Sequence, residues 1–208
     1  MTLQKNVTIV DFGMGNIWSV LNALRYVGSS PTVSSDPSEI SKAESLILPG
    51  VGSFKLAMEA IRRDGIDQGI LEAVSGRGAK ILGICLGMQL LGLESSEDGH
   101  TEGLGLIPGS VSKFDTEANP DLKVPHIGFN LTYSEVGSRL FAKLPRAADF
   151  YFVHAYRIPV DGLDGRVATC QHGEEFAAAY ENENIFATQF HPEKSQTNGL
   201  TLLQNFLK

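Results

Sequence analysis

Short apolar runs alternate with segments of helical spacing through the first two-thirds of this 208-residue sequence. Each helical segment carries apolar residues three or four positions apart. The predicted strands lie at 6–13, 30–34, 44–50 and 79–84, and the helical segments lie at 16–28, 53–75 and 85–94. Asn16 is the expected N-cap of the first helix, and Gly28 is its stop. This alternation predicts parallel βαβ units with helices on both faces of a sheet.

After residue 105, strand-length pieces follow one another with only turn residues between them. Such short connections predict antiparallel hairpins. The segment 198–208 is predicted to be an amphipathic helix, and the sequence shows no internal repeat, low-complexity tract or linker. A chain of this length can form one well-packed core. We therefore predict a single domain over residues 1–208, of the α/β class, with a mixed and mostly parallel central sheet flanked by helices.

Charge and cysteine content argue against several classes of function. A net charge of −7 and a pI near 5.2 do not fit a nucleic-acid-binding protein, which needs a basic patch for phosphates. Cys85 and Cys170 have no CxxC spacing, so we expect neither a disulfide framework nor a zinc site, and Cys170 is expected to be a buried strand residue. The sequence lacks the pattern of a signal peptide and any apolar run near the roughly 20 residues of a membrane span. We expect a cytoplasmic protein without a metal, nucleic-acid or membrane partner.

The segment "ILGICLGMQLL" (81–91) joins an apolar strand to a helix through a Gly-x-Cys-x-Gly step. This is the spacing of a nucleophile elbow, in which flanking glycines leave room for a sharp, strained turn. Cys85 would lie at the carboxyl end of a parallel strand, where open α/β sheets bind ligands. It would also lie at a helix N-terminus, which favours a thiolate. The alternative is that Cys85 is a small buried hydrophobic residue.

A nucleophilic thiol needs an imidazole base, and the base needs a third group that orients it. Among the five histidines, only His191 has a carboxylate at a useful fixed offset, since Glu193 follows in "QFHPEKS". An extended chain would point both side chains to the same side, and Pro192 favours an extended or turn conformation before it. Alternatively, His191 lies on a strand edge and Glu193 caps the next helix. Because "ICLG" and "FHPE" both fall at strand ends, we favour a triad with Cys85.

A second glycine-rich strand end, "LILPGVGSF" (46–54), is flexible enough to turn backbone N–H groups toward a developing negative charge. An ordinary strand–helix turn is the alternative. The segment "DFGMGNIW" (11–18), with Asp36 beyond it, resembles a dinucleotide-binding fingerprint. Trp18 stands where the third glycine of that fingerprint would allow close helix–strand packing, which argues against a dinucleotide site.

Taken together, these motifs resemble a known family. "LPGVGSF", "GICLGMQLL" and "QFHPEKS" occur in the order and approximate spacing of the class I (triad-type) glutamine amidotransferases. "DFGMGNIWSV", "VPHIGFN" and "YFVHAY" narrow the resemblance, which runs nearly end to end, to the glutaminase subunits of imidazole glycerol phosphate synthases. The resemblance implies the three-layer class I glutamine amidotransferase-like fold and hydrolysis of L-glutamine to glutamate and ammonia. It implies no metal or organic cofactor.

By this resemblance, Cys85, His191 and Glu193 are the catalytic triad. Residues that surround the oxyanion are Gly50, Val51, Gly52 and the amide of Leu86. Residues that match positions holding the α-amino and carboxylate ends of glutamine are Gln89 and Glu97, and the backbone of His154, Ala155 and Tyr156 completes the pocket. Residues expected to face a partner are Asn16, Phe129 and Lys194. Phe129 replaces the usual tryptophan of the family, and Ala155 replaces a usual serine or threonine.

The resemblance also implies a partner, the (β/α)₈ cyclase subunit of the synthase. The two chains would form a heterodimer in which ammonia passes to the cyclase for histidine biosynthesis. Gly50 and Gly52 would allow a backbone flip that creates the oxyanion site only in the active complex. Two other interpretations stay open: a glutaminase that serves a different synthase, and an inactive subunit that uses the fold for assembly alone.

Overall fold

The computed structural model describes residues 6–208. The strands are β1 (Asn6–Val10), β2 (Ser30–Ser34), β3 (Ser45–Gly50), β4 (Lys80–Cys85), β5 (Glu94–Ser95), β6 (Thr101–Glu102), β7 (Ser112–Lys113), β8 (His126–Tyr133), β9 (Ala147–His154), β10 (Tyr156–Arg157), β11 (Arg166–His172), β12 (Glu174–Asn182) and β13 (Ile185–Thr188). The α-helices are α1 (Ile17–Tyr26), α2 (Pro37–Ile40), α3 (Phe54–Arg63), α4 (Ile66–Leu71), α5 (Leu86–Leu90) and α6 (Gln196–Phe206). A π-helical turn covers Glu72–Gly76, and a 3₁₀ turn covers Pro192–Lys194. Within residues 6–208, no helix is long and apolar enough to cross a membrane.

In the described part of the chain, nine strands form one mixed sheet in the order β2-β1-β3-β4-β13-β12-β11-β8-β9. The pairs from β2 through β13 are parallel, and the pairs from β13 through β9 are antiparallel. The prediction of a mixed α/β sheet is confirmed, as are the hairpin-like pairings of the second half. One strand differs from that prediction, because β13 comes from the antiparallel half of the chain yet pairs in parallel with β4.

Alternation along the central strands separates two apolar clusters. In β3, Leu46 and Leu48 belong to the cluster that contains α3 and α4, whereas Ile47 belongs to the cluster that contains α1 and α6. All three side chains are fully buried, and burial of a leucine or isoleucine side chain contributes about 1.5–3 kcal/mol. The sheet is therefore the middle of three layers, with helices packed on both faces.

The parallel register brings three distant parts of the chain to one edge of the sheet. Gly50, the last residue of β3, lies opposite Cys85, the last residue of β4. Thr188, the last residue of β13, lies opposite Ile84. Because the carboxyl ends of parallel strands share an edge, the residues that follow β3, β4 and β13 meet there.

Two local predictions need correction. The helix predicted over 85–94 ends at Leu90, because the N–H groups of Leu104 and Leu106 donate to the carbonyls of Leu90 and Leu91, which a longer helix would use. Asn16 does precede α1 as predicted, but its side chain makes no capping hydrogen bond within the described chain.

Candidate active site

The turn from β4 into α5 is as sharp as the glycine spacing predicts. Cys85 has φ 55° and ψ −110°, a conformation that L-residues rarely adopt and that costs about 1–3 kcal/mol. The flanking glycines allow the close approach, since a Cβ on Gly83 would lie 2.8 Å from the backbone of Gly87. A Cβ on Gly87 would lie 1.7 Å from the carbonyl oxygen of Leu48 in β3. The elbow therefore depends on two positions that cannot carry a side chain.

His191 and Glu193 meet, but not by the alternation of an extended strand. His191 has extended backbone dihedrals, and the chain then enters the 3₁₀ turn in which Glu193 lies. This turn brings Oε1 of Glu193 to 2.8 Å from Nδ1 of His191, and both side chains are almost completely buried. Ser195 fixes the segment further, because its hydroxyl donates to the carbonyl of His191 at 2.6 Å and accepts from the N–H of Tyr151 at 2.9 Å. The pairing was predicted correctly, and the local geometry behind it was not.

The electrostatics of His191 favour a protonated imidazole. Burial alone lowers the pKa of His191, but the Cys85 sulfur and the Glu193 carboxylate oppose it and raise the pKa to about 10. Nδ1 is paired with Glu193, while Nε2 is buried without a hydrogen-bond partner in the described part of the chain. The unpaired nitrogen is therefore free to exchange a proton with a group that enters the cavity beside Cys85.

Cys85 and His191 line a common cavity of about 320 Å³. Its lining consists of Val51, Gly52, Cys85, Leu86, Gln89, Glu97, Pro125, Val153, His154, Ala155, Tyr156 and His191. The structure thus brings together ten of the twelve residues predicted for catalysis and substrate binding. Of the other two, Gly50 lies opposite Cys85 in the sheet, and Glu193 contacts the imidazole of His191. A cavity of this size fits a small molecule.

The glycine-rich loop after β3 does not present the amide of Val51 to the cavity, which agrees with the expectation that a backbone flip must first create the oxyanion site. Val51 lines the cavity, but its N–H donates to the carbonyl oxygen of Met14 at 3.1 Å. That N–H is therefore engaged and cannot stabilise an oxyanion in this conformation. Gly52, which follows Val51, has φ +103°, a backbone conformation that favours glycine.

Gln89 is buried in α5 rather than solvated. Its Nε2 donates to the carbonyl of Tyr156 and to Oε1 of Gln189, both at 3.0 Å. Both amide protons are thus used within the protein, which leaves Oε1 of Gln89 as the atom available to a ligand. Glu97 follows β5, and one of its side-chain oxygens accepts from the N–H of Phe54, the first residue of α3, at 2.8 Å. An acceptor and a carboxylate at the cavity wall fit a ligand that carries an ammonium group.

His154, which lines the cavity, forms a buried pair of imidazoles with His126. Its Nδ1 donates to the carbonyl of Tyr156 at 2.8 Å, so its Nε2 accepts from Nδ1 of His126 at 3.0 Å. Burial lowers the pKa of His154 to about 3 and that of His126 to about 4. Both rings are therefore neutral at pH 7, as this pattern of donors and acceptors requires.

The predicted partner-facing residues are exposed or partly exposed. Phe129, half exposed on β8, packs edge-on against Tyr151, and the ammonium of Lys194 lies 5.8 Å from the centre of the same tyrosine ring. Asn16 precedes α1, two residues before Trp18. Trp18 is 74% exposed, so it points away from the sheet, and the packing argument used against a dinucleotide site does not hold in this form.

Sequence reasoning missed Gln189 and Ser195, which contact Cys85 and His191. Gln189 is fully buried, and its Nε2 lies 3.7 Å from the sulfur of Cys85. The sequence signal was that Gln189 precedes His191 by two residues in the strand-length piece that the sequence indicates there. Cys170 is buried in β11 as predicted, and burial raises its pKa to about 12. Residues 6–208 hold no cluster of His, Cys, Asp or Glu that could bind a metal ion.

The class-I glutamine amidotransferase family model matches residues 8–208. Together with an elbow cysteine, a buried histidine–glutamate pair and a shared cavity, this match shows that the chain belongs to the class-I glutamine amidotransferase family. Within the family, the chain is similar to proteins named imidazole glycerol phosphate synthase subunit HisH. The relative from Geobacter sulfurreducens is 43% identical, over 96% of this chain and 97% of its own length. The relative from Parasynechococcus marenigrum is 40% identical, over 98% of both chains.

Solved structures support the same fold. The structure of PurLQS from Thermotoga maritima matches with a TM-score of 0.74 at 18% identity, covering 99% of this chain and 98% of that one. A crystal structure described as a glutamine amidotransferase matches with a TM-score of 0.72 at 17% identity, covering 97% of both chains. The class I glutamine amidotransferase-like fold implied by the sequence motifs is confirmed.

Proposed function

We propose that this chain is the glutaminase subunit of an imidazole glycerol phosphate synthase and hydrolyses L-glutamine to glutamate and ammonia. The observation that carries the proposal is the cavity shared by Cys85 and His191, with Glu193 bound to the far nitrogen of the imidazole. The similarity to HisH subunits, at 40% identity or more over nearly the whole chain, supports the assignment to this synthase. We assign residues 1–208 to one domain and place the protein in the cytoplasm, where small-molecule biosynthesis takes place.

In the first half-reaction, the thiolate of Cys85 attacks the side-chain amide carbon of glutamine. Negative charge develops on the amide oxygen and is held by backbone N–H groups of residues 50–52 and of Leu86. The protonated imidazole of His191 donates its Nε2 proton to the departing nitrogen, which leaves as ammonia. A glutamyl thioester on Cys85 and a neutral His191 remain.

In the second half-reaction, water attacks the thioester. The neutral imidazole of His191 takes a proton from this water, the bond between carbon and sulfur breaks, and glutamate leaves. Glu193 keeps the imidazole in one orientation through both steps and stabilises its charged form. Gln89 and Glu97 hold the amino-acid end of the substrate, so that the side-chain amide points toward Cys85.

The ammonia is passed to a (β/α)₈ cyclase partner, because ammonia released into water would be protonated and lost. In the proposed heterodimer, the cyclase combines ammonia with the ribonucleotide PRFAR to give imidazole glycerol phosphate and AICAR, a step of histidine biosynthesis. Phe129 and Lys194, which both contact Tyr151, form one part of the proposed interface, and Asn16 forms another.

The hydrogen bond from Val51 to Met14 gives the proposed gating a physical basis. While this bond is present, the N–H of Val51 is not available to the oxyanion. A flip of the peptide between Gly50 and Val51 would break the bond and turn the N–H toward the cavity. We propose that this flip occurs only when the cyclase carries its ribonucleotide, so that the isolated chain hydrolyses glutamine slowly.

The test measures glutamate release by this chain alone, with the cyclase, and with the cyclase plus PRFAR. We expect a strong rise only when PRFAR is added, and no release from Cys85→Ala under any condition. Ser96→Ala, a change of an exposed residue, is the matched control. Equal rates with and without the loaded cyclase would contradict the gating. A rise only with a different synthase would contradict the assignment, and glutamate release by Cys85→Ala would contradict the mechanism.

A further inference from the structure

The geometry points to Gln189 as a positioning residue that holds the sulfur of Cys85 and stabilises its thiolate by donating an amide N–H. This inference rests on the proposed function, because it concerns the same nucleophile. Nε2 of Gln189 lies 3.7 Å from the sulfur, and the side chain is fully buried. Gln189 follows β13, and its own N–H donates to the carbonyl of Ala178 at 2.8 Å, which fixes its backbone.

A backbone carbonyl fixes which end of the Gln189 amide faces the sulfur. The carbonyl of Tyr156 can only accept, so the end of Gln89 that faces it must be the NH₂ group. The same NH₂ group faces Gln189 at 3.0 Å, so that end of Gln189 must be its oxygen. The NH₂ group of Gln189 is then directed to Cys85. The polarity of two buried amides thus follows from one main-chain acceptor.

The carbonyl of Tyr156 accepts a second hydrogen bond. It accepts from Nδ1 of His154 at 2.8 Å, and His154 accepts in turn from His126. Both rings are buried and packed among phenylalanine side chains. The Tyr156 carbonyl, which orients the side-chain amides of Gln89 and Gln189, therefore does not depend on solvent or on a flexible side chain.

This arrangement offers the sulfur a hydrogen-bond donor in addition to the imidazole of His191. In the thiol form, Cys85 can donate to the carbonyl of Val153, which lies 3.8 Å from the sulfur. In the thiolate form, the sulfur can only accept, and Gln189 provides an N–H. A hydrogen bond to the charged form of a group favours that form. It also restrains the side chain at an elbow that is already strained.

The experiment follows the rate of alkylation of Cys85 by iodoacetamide as a function of pH, with the labelled peptide identified by mass spectrometry. Gln189→Met keeps the length of the side chain and removes the donor. Gln204→Met, an exposed position on α6, is the matched control. We expect Gln189→Met to shift the midpoint of the pH–rate profile upward by about one unit, which is about a tenfold slower reaction near neutral pH. The rate at alkaline pH should stay within about twofold, which separates this effect from a loss of access to the sulfur.

Gln89→Met independently tests whether the Gln89 amide orients the amide of Gln189. This variant can be used even if Gln189→Met does not fold. It frees the Gln189 amide to rotate, so a smaller shift in the same direction is expected. An unchanged midpoint in folded Gln189→Met, or in Gln89→Met if the first variant does not fold, would overturn the role of Gln189. If the unmodified protein itself fails to label at Cys85 up to alkaline pH, the proposed function fails instead.

Discussion

Gly87→Ala is the substitution that tests the elbow most directly. A Cβ at this position would lie 1.7 Å from the carbonyl oxygen of Leu48, whereas non-bonded heavy atoms rest about 3.5 Å apart or more. Helix α5 would have to move away from β3 by about 1.5–2 Å to make room. The close contact is with the backbone of β3 inside a buried sheet, so no side-chain rotation can relieve the clash.

The expected cost exceeds the usual range for an overpacked core, which is about 1–3 kcal/mol. We expect a loss of at least about 3 kcal/mol in the free energy of unfolding, or a fall of about 6–12 °C in Tm for a chain of this length. Because Cys85 precedes Gly87 by two residues, the same movement displaces the sulfur. A displacement of about 1 Å at a reacting atom costs on the order of 10²-fold in rate.

Urea unfolding followed by circular dichroism measures the first effect, and glutamate release by the loaded complex measures the second. Gly76→Ala is the control, since its Cβ would meet only the carboxylate end of Glu72 at 3.0 Å, which can rotate away. The control should change stability by less than about 1 kcal/mol. If Gly87→Ala is as stable and as active as the control, the close contact between α5 and β3 is not what forms the elbow.

Three further outcomes are expected. Glu193→Gln removes the negative charge that faces Nδ1 of His191, so glutaminase kcat in the complex should fall about 10³–10⁴-fold with little change in KM. A fall of less than tenfold would contradict the triad. Burial lowers the pKa values of His126 and His154 to about 4 and 3, below 6.5, so the unfolded chain binds protons that the folded chain does not. Stability should therefore decrease as pH falls from 6.5 toward 4, and the urea midpoint should decrease less in His126→Asn. Equal decreases in the two proteins would show that burial of a neutral His126 does not cause the pH dependence. Trp18 is the sole tryptophan and is 74% exposed, so cyclase binding should shift its emission to shorter wavelength, and Trp18→Ala should weaken the complex about 10–100-fold. Unchanged emission and affinity would place the interface elsewhere.

The features that sequence predicted well depend on local steric rules. A Gly-x-Cys-x-Gly step at the end of an apolar strand has few conformations other than a sharp turn, and Cys85 adopts it with φ 55°. The order of strands and helices was also predicted from local information, namely the spacing of apolar residues along each segment. The pairing of His191 with Glu193 was also found, although a 3₁₀ turn makes the contact rather than an extended strand.

The features that sequence missed depend on partners far away along the chain. The direction of the Val51 N–H is set by the carbonyl of Met14, and no local pattern around residue 51 contains that information. The end of α5 is set by N–H groups of residues 104–106. The role of Gln189 depends on an amide in α5 and a carbonyl in β10. A single sequence gives the residue types at these positions but not the contacts that orient them.

Under the proposed gating, the hydrogen bond between Val51 and Met14 would affect nitrogen economy in the cell. Met14 belongs to the short connection between β1 and α1, and that connection leads directly into the surface that carries Asn16 and Trp18. A partner that docked on Asn16 and Trp18 would lie next to the connection whose Met14 carbonyl occupies the amide of Val51. A resting subunit built in this way would spare the glutamine pool whenever the acceptor nucleotide is scarce.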